Sequence, residues 1–97
     1  MSLFKSKSMT NIIHVYKETL SPAQVAASTT AEQTFTVSGL LASDILLGVM
    51  KPSSDAGLGI AGARISADDT LAVTFVNATT GALTPTASED YLITVMR

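Results

Sequence analysis

The chain has no cysteine and no tryptophan, a single histidine, and aromatic side chains at only 5% of its 97 positions. Without cysteine there are no disulfides, thiol nucleophiles or zinc–thiolate sites, and the redox compartment is left open. With His14 as the only histidine, a Ser-His-Asp triad must be built around it, and no nucleophile elbow stands on either side. A histidine-based zinc site fails for want of further nitrogen or sulfur donors, so His14 reads as a strand residue with its ring at the surface. Charge is also scarce, at 14% of residues against about 25% in ordinary soluble domains. No run approaches the roughly 18 uncharged apolar residues that cross a bilayer, and residues 1–20 lack the apolar centre of a signal peptide. These absences predict a protein made and assembled in the cytoplasm, with no membrane partner, no cofactor, no metal and no catalytic activity.

Serine, threonine, alanine and glycine must therefore cover much of the surface. Such a surface packs readily against neighbours, because little charge has to be desolvated. The net charge of −2 hides an asymmetry: Lys5, Lys7 and Lys17 stand in residues 1–17 without an acid, and the rest of the chain is acidic. Lys51, Arg64 and Arg97 are scattered, and Phe35, Phe75 and Tyr91 alternate like core residues, so a nucleic-acid footprint is not expected.

A length of 97 residues fits one domain. Residues 1–10 mix Ser6, Ser8, Lys5 and Lys7 with the short apolar pair Leu3-Phe4 and read as an extended arm. From residue 11 to residue 97 the pattern is that of one β domain. Ile12-Ile13-His14-Val15-Tyr16 predicts a first strand. Gln24-Val25-Ala26-Ala27-Ser28 reads either as a weak strand or as a helical turn. Thr34-Phe35-Thr36-Val37-Ser38 alternates strictly, with Phe35 and Val37 on one face. Ile45-Leu46-Leu47-Gly48-Val49-Met50 is apolar on both faces, which marks a central strand or an interface. Gly59, Ala61, Gly62 and Ala63 leave little side chain to pack, so another backbone is expected to approach closely there. Ala67-Asp68-Asp69 is a turn, Leu71-Ala72-Val73-Thr74-Phe75-Val76 is the clearest strand, and Tyr91-Leu92-Ile93-Thr94-Val95-Met96 closes the pattern with period two. Six or seven short strands without a normal amphipathic helix predict an all-β fold, a small β-sandwich or jelly-roll-like barrel.

Three constellations have a chemical reading and a plainer one. Asp68-Asp69 with Asp44, Asp55, Glu89 and Asp90 offers carboxylates for a hard cation, but the spacing fits no EF-hand, and adjacent aspartates commonly bond turn amides. Gly57-Leu58-Gly59-Ile60-Ala61-Gly62 echoes a phosphate cradle, yet the segment that follows reads as strand rather than helix. Asn77-Ala78-Thr79 has the form of a glycosylation sequon and is most simply a turn.

Over residues 33–97 the order of features resembles a small virion protein of tailed bacteriophages, of the capsid cement or decoration type that stabilises the head. The resemblance is carried by Thr34-Phe35-Thr36-Val37-Ser38-Gly39-Leu40, by Ala56-Gly57-Leu58-Gly59-Ile60-Ala61-Gly62-Ala63-Arg64-Ile65-Ser66, and above all by the stretch from Leu71 through Asn77-Ala78-Thr79 and Gly81 to Thr84-Pro85. It implies a β subunit on the capsid surface, bound to the major capsid protein and to copies of itself, most plausibly as a trimer, with no catalytic residues to carry over. Tail, head-fibre and host-adhesion or carbohydrate-binding modules are the alternatives. The residues expected to meet partners are Leu3, Phe4, Lys5 and Lys7 of the arm, and Ile45, Leu47 and Val49 of the doubly apolar run.

Overall fold

The structure, a computed structural model, describes residues 12–97. The expected arm, with Leu3, Phe4, Lys5 and Lys7, lies outside the described residues. Six strands follow in order: β1 (Ile13–Leu20), β2 (Thr29–Thr36), β3 (Ile45–Met50), β4 (Leu58–Ala67), β5 (Thr70–Asn77) and β6 (Glu89–Met96). They form two antiparallel three-stranded sheets, β1-β6-β3 and β2-β5-β4, consistent with the expected β-sandwich.

The central strands are the two most regular runs of the sequence. In β6, Tyr91, Ile93 and Val95 are all buried, and in β5, Leu71, Val73 and Phe75 are buried on the facing side. Period-two alternation places each trio on one face of its sheet, and the two faces close on each other. Leu20, Val25, Val37 and Leu40 complete the core from the edges and loops, with Tyr16, Phe35, Leu46, Val49, Ile60 and Ile65 packed around it. Each large side chain taken fully out of water contributes about 1.5–3 kcal/mol.

Several local expectations are refined. β1 runs on through Lys17-Glu18-Thr19 because it pairs with β6 over eight residues without a break. β2 starts at Thr29, five residues before the alternating run suggests. There Gln33 pairs opposite Val73, and its side-chain amide accepts from the Ala23 amide (2.7 Å) and donates to the Ala23 carbonyl (2.9 Å). A half-buried glutamine thus does the work of a neighbouring strand's backbone. The ambiguous segment around Val25 is neither a full strand nor a helical turn. Val25 makes one antiparallel bridge to Leu83, through reciprocal hydrogen bonds of 2.7 and 3.0 Å.

The Asp68-Asp69 turn joins β4 to β5, with Asp69 at φ 62°. Its carboxylates accept backbone amides of the β2–β3 connection, Asp68 from Ala42 and Asp69 from Gly39, each at 2.8 Å. That connection is locked again from the other sheet. Tyr16 Oη donates to the Gly39 carbonyl (3.0 Å), and Arg97 grips the Asp44 carboxylate with both Nε (2.8 Å) and Nη2 (2.9 Å). Gly39 sits at φ +101°, and an added Cβ would lie 3.0 Å from the Tyr16 ring. Only glycine combines that backbone angle with that approach.

Candidate interaction surface

The two sheets turn very different outer faces to solvent. On β2-β5-β4 the outward residues include Thr30, Glu32, Thr34, Arg64 and Thr74. Arg64 reaches across β5 to Glu32 in a bidentate pair, both contacts at 2.9 Å. The pair lies over Ala72, which sits between Thr34 and Arg64 in the register and is completely buried despite facing outward. The Glu32 carboxyl is held below its usual range by that hydrogen bond to Arg64.

On β1-β6-β3 the outward rows read Ile13, Met96, Ile45; then Val15, Thr94, Gly48; then Lys17, Leu92, Met50. Ile13, Val15, Ile45, Leu47 and Met50 are 50–65% exposed and Leu92 is 39% exposed, with Ile12 beside them at 60%. Apart from Leu41, these are all the large hydrophobic side chains left exposed among the described residues. Lys17 is the one charge within the rows, and it lies 3.9 Å from Asp90 at the rim.

Ile45 and Leu47, expected to meet a partner, stand on this face. Val49 does not. A bulge between Leu46 and Gly48 inserts Leu47 as an extra residue. Side chains beyond it change parity, so Leu46 and Val49 both point inward and pack on the core. β3 is an edge strand rather than a central one, and its two apolar faces serve two purposes: one fills the core and the other is bare. Ile13, Val15 and Leu92 share this face and are not among the residues that the sequence singles out. The signal was present in Ile12-Ile13-His14-Val15-Tyr16, which is also apolar on both parities.

Along the open side of the sandwich, β3 and β4 run next to each other and leave a groove of about 260 Å³, lined by residues 46–49 and 60–63. No titratable side chain lines it. The close approach expected at Gly59 and Gly62 does not occur among the described residues: a Cβ at Gly62 meets nothing within 4 Å, and one at Gly59 only a Val76 methyl at 3.7 Å. β4 is an edge strand, and its small residues are exposed.

The clustered carboxylates of the sequence, Asp44, Asp55, Asp68, Asp69, Glu89 and Asp90, are occupied by structural partners. Lys51 lies 2.8 Å from Asp55 and 3.2 Å from Glu89, all three largely covered. Ser53 also donates to Glu89, and Thr86 donates to Asp55 through its hydroxyl (2.7 Å). The Lys51 and Thr86 hydrogen bonds hold the Asp55 carboxyl down at about 2. Burial pulls the Lys51 amine down, but its bonds to Asp55 and Glu89 outweigh that and keep it above its ordinary value. Asp44, almost fully buried, is held low by Arg97. No group of three or more His, Cys, Asp or Glu among the described residues is placed to hold a metal ion. Asn77 is buried, and its amide nitrogen donates to the carbonyls of Val25 and Gly81, so the folded domain does not present it for glycosylation.

Comparison with protein-family models, with curated proteins and with solved structures finds no match to this chain.

Proposed function

We propose that this is a structural assembly protein, which acts by laying a preformed sheet face against other protein subunits and carries out no chemistry. The bare outer face of β1-β6-β3 carries the reading. Monomeric proteins rarely expose apolar patches above about 300–600 Å², and larger ones mark contact sites. Here six large apolar residues on one face stand 39–65% exposed, over a sheet three strands wide, a patch of the size class at which one partner's side of a standard interface begins, ~800 Å². The carboxylates of Glu32, Asp44, Asp55, Asp68, Asp69, Glu89 and Asp90 are tied to structural partners, and the groove between β3 and β4 is lined by no titratable side chain.

The resemblance to small phage virion proteins gives this assembly role its setting: a cement or decoration subunit on the outside of a capsid, bound to the major capsid protein and to its own copies. A carbohydrate-binding role is less well supported, because such sites present planar rings to sugars. Tyr91 and Phe75 are buried, Tyr16 and Phe35 pack against the core, and Tyr16 spends its hydroxyl on Gly39. The test is made on particles. Virions of the phage that encodes the chain are expected to contain it in many copies, and shells assembled without it are expected to open at lower temperature and to regain stability when purified protein is added back. Its absence from the particles, or shells indifferent to it, would refute the reading.

A further inference from the structure

We infer that the outer face of β1-β6-β3 is the contact between two copies of this chain, packed sheet against sheet about a two-fold axis. This deepens the structural reading above, by assigning the self-contact to one surface.

Area is the first argument. The face is three strands wide, on strands of six to eight residues, and its large apolar residues stand 39–65% exposed, so two such faces laid together cover an area of the order of the ~1,200–2,000 Å² of stable interfaces. The expected trimer divides the same patch between two neighbours, leaving each contact about half of what such an interface needs. A two-fold pair uses the whole patch at once.

Charge is the second. An isologous contact sets every residue of the patch against the same patch, so any unpaired charge near its centre meets its own like. The rows through Ile13, Val15, Ile45 and Leu47 hold no charge, and Lys17 stands at one end, next to Asp90. The residues at the middle of the face are Thr94, on the central strand, and Gly48, opposite it on β3. Both are small, and they let two twisted sheets close to the roughly 10 Å spacing of a sandwich interior.

The third is closure. The opposite face of each copy is polar and roofed by the Arg64–Glu32 pair, so among the described residues a copy docked through β1-β6-β3 presents no second apolar sheet face to a third copy, and growth of this self-contact stops at two.

Sedimentation of the isolated full chain at about 50 μM is expected to give twice the 10.1 kDa mass. Val15→Lys and Ile45→Lys, at positions already exposed in the single chain, are expected to leave circular dichroism and melting of the monomer intact. Each is expected to weaken association at least about a hundredfold, because each sets like charges against one another in the contact. The absence of cysteine permits a direct geometric check. Thr94→Cys is expected to form a disulfide-linked pair on mild oxidation, while Thr74→Cys, its counterpart at the middle of the polar face, is not. A monomer at that concentration would mean that another partner, or the chain's own residues 1–11, covers the face, and would overturn the inference. So would a trimer, a dimer indifferent to both lysines, or equal cross-linking at positions 74 and 94. These measurements need no shell protein, so their failure is distinct from a failure of the virion role, which is read on particles.

Discussion

Removing the side chain of Asn77 is expected to cost far more than its place in a polar turn suggests. Asn77 is 1% exposed and uses both ends of its amide. Nδ2 donates to the carbonyls of Val25 (3.1 Å) and Gly81 (2.9 Å), and Oδ1 accepts from the Thr79 amide (2.9 Å) and hydroxyl (2.7 Å). One side chain thereby joins the end of β5 to the β1–β2 and β5–β6 connections. Each net hydrogen bond contributes about 0.5–1.5 kcal/mol. Not all four are lost cleanly. The Val25 carbonyl keeps the Leu83 amide (3.0 Å), and the Thr79 hydroxyl also reaches the Gly81 carbonyl (2.9 Å). What remains is a half-buried Thr79 amide without its acceptor and a small void where the Asn77 side chain was, so Asn77→Ala is expected to lose about 2–3 kcal/mol. In a domain of this size that lowers the melting temperature by roughly 10–20 °C. Asn77→Asp keeps the shape and replaces the donor with an oxygen aimed at two carbonyls. Burial and the two facing carbonyls disfavour the charged form of that carboxyl, so the deficit relative to the parent is expected to be largest at neutral pH and to shrink as pH falls and the acid becomes protonated and able to donate. Urea unfolding of parent and both variants at pH 7 and pH 4 reads this directly. A loss below about 0.5 kcal/mol for the alanine variant, the range of ordinary surface changes, would refute the network. A pH-independent deficit for the aspartate variant would refute the donor assignment.

Three further outcomes are expected. Gly57 stands at φ +77°, with a Cβ position 2.3 Å from the Thr79 methyl, so Gly57→Ala combines backbone strain with a clash and is expected to lose at least about 1–3 kcal/mol by thermal melting. Asp55 holds its proton less tightly folded than unfolded, with a folded value of about 2 against 3.8. Its contribution is therefore complete above pH 3.8 and is lost as pH falls toward 2; Asp55→Asn is expected to flatten that part of the stability profile, and an unchanged acid limb would contradict it. Phe75→Ala, in the middle of the core, is expected to cost about 3–5 kcal/mol in denaturant unfolding, whereas Thr74→Ala beside it is expected to cost little.

The core strands were legible because their pattern and their burial obey the same rule. Tyr91, Ile93 and Val95, and Leu71, Val73 and Phe75, alternate with smaller or polar residues, and burial of one face of a strand requires that alternation. The first half of β2 was not legible, because Gln33 turns inward and satisfies itself on the Ala23 backbone, a long-range pairing that leaves no local trace. The placement of Val49 was hidden for a related reason. A bulge is a property of two strands in register, so the six apolar letters of β3 reveal that both faces are greasy without revealing which side chains the inserted Leu47 sends inward. Small residues in β4 suggested crowding, but glycine and alanine also suit an open edge, and only the neighbouring strands decide between the two. The exposed apolar face is half visible: Ile45 and Leu47 stand in a run apolar on both parities, and Ile13 and Val15 carry the same mark, diluted by His14, Lys17 and Glu18.

The strand order has a bearing on when the apolar face comes into being. β1 and β3 are its two flanks, and both bond to β6 alone, the last of the six strands in chain order. During synthesis the flanks leave the ribosome first and have no template to lie on, since neither pairs with the other. Ile13, Val15, Ile45 and Leu47 are then separate side chains on a loose chain, unable to present a common surface. Pairings that span most of the sequence, such as Ile13 with Met96, close late and slowly. The face is therefore assembled in one step, when β6 slots between its flanks, and until then β1 and β3 are unpaired apolar strands, the stretch of folding most open to aggregation.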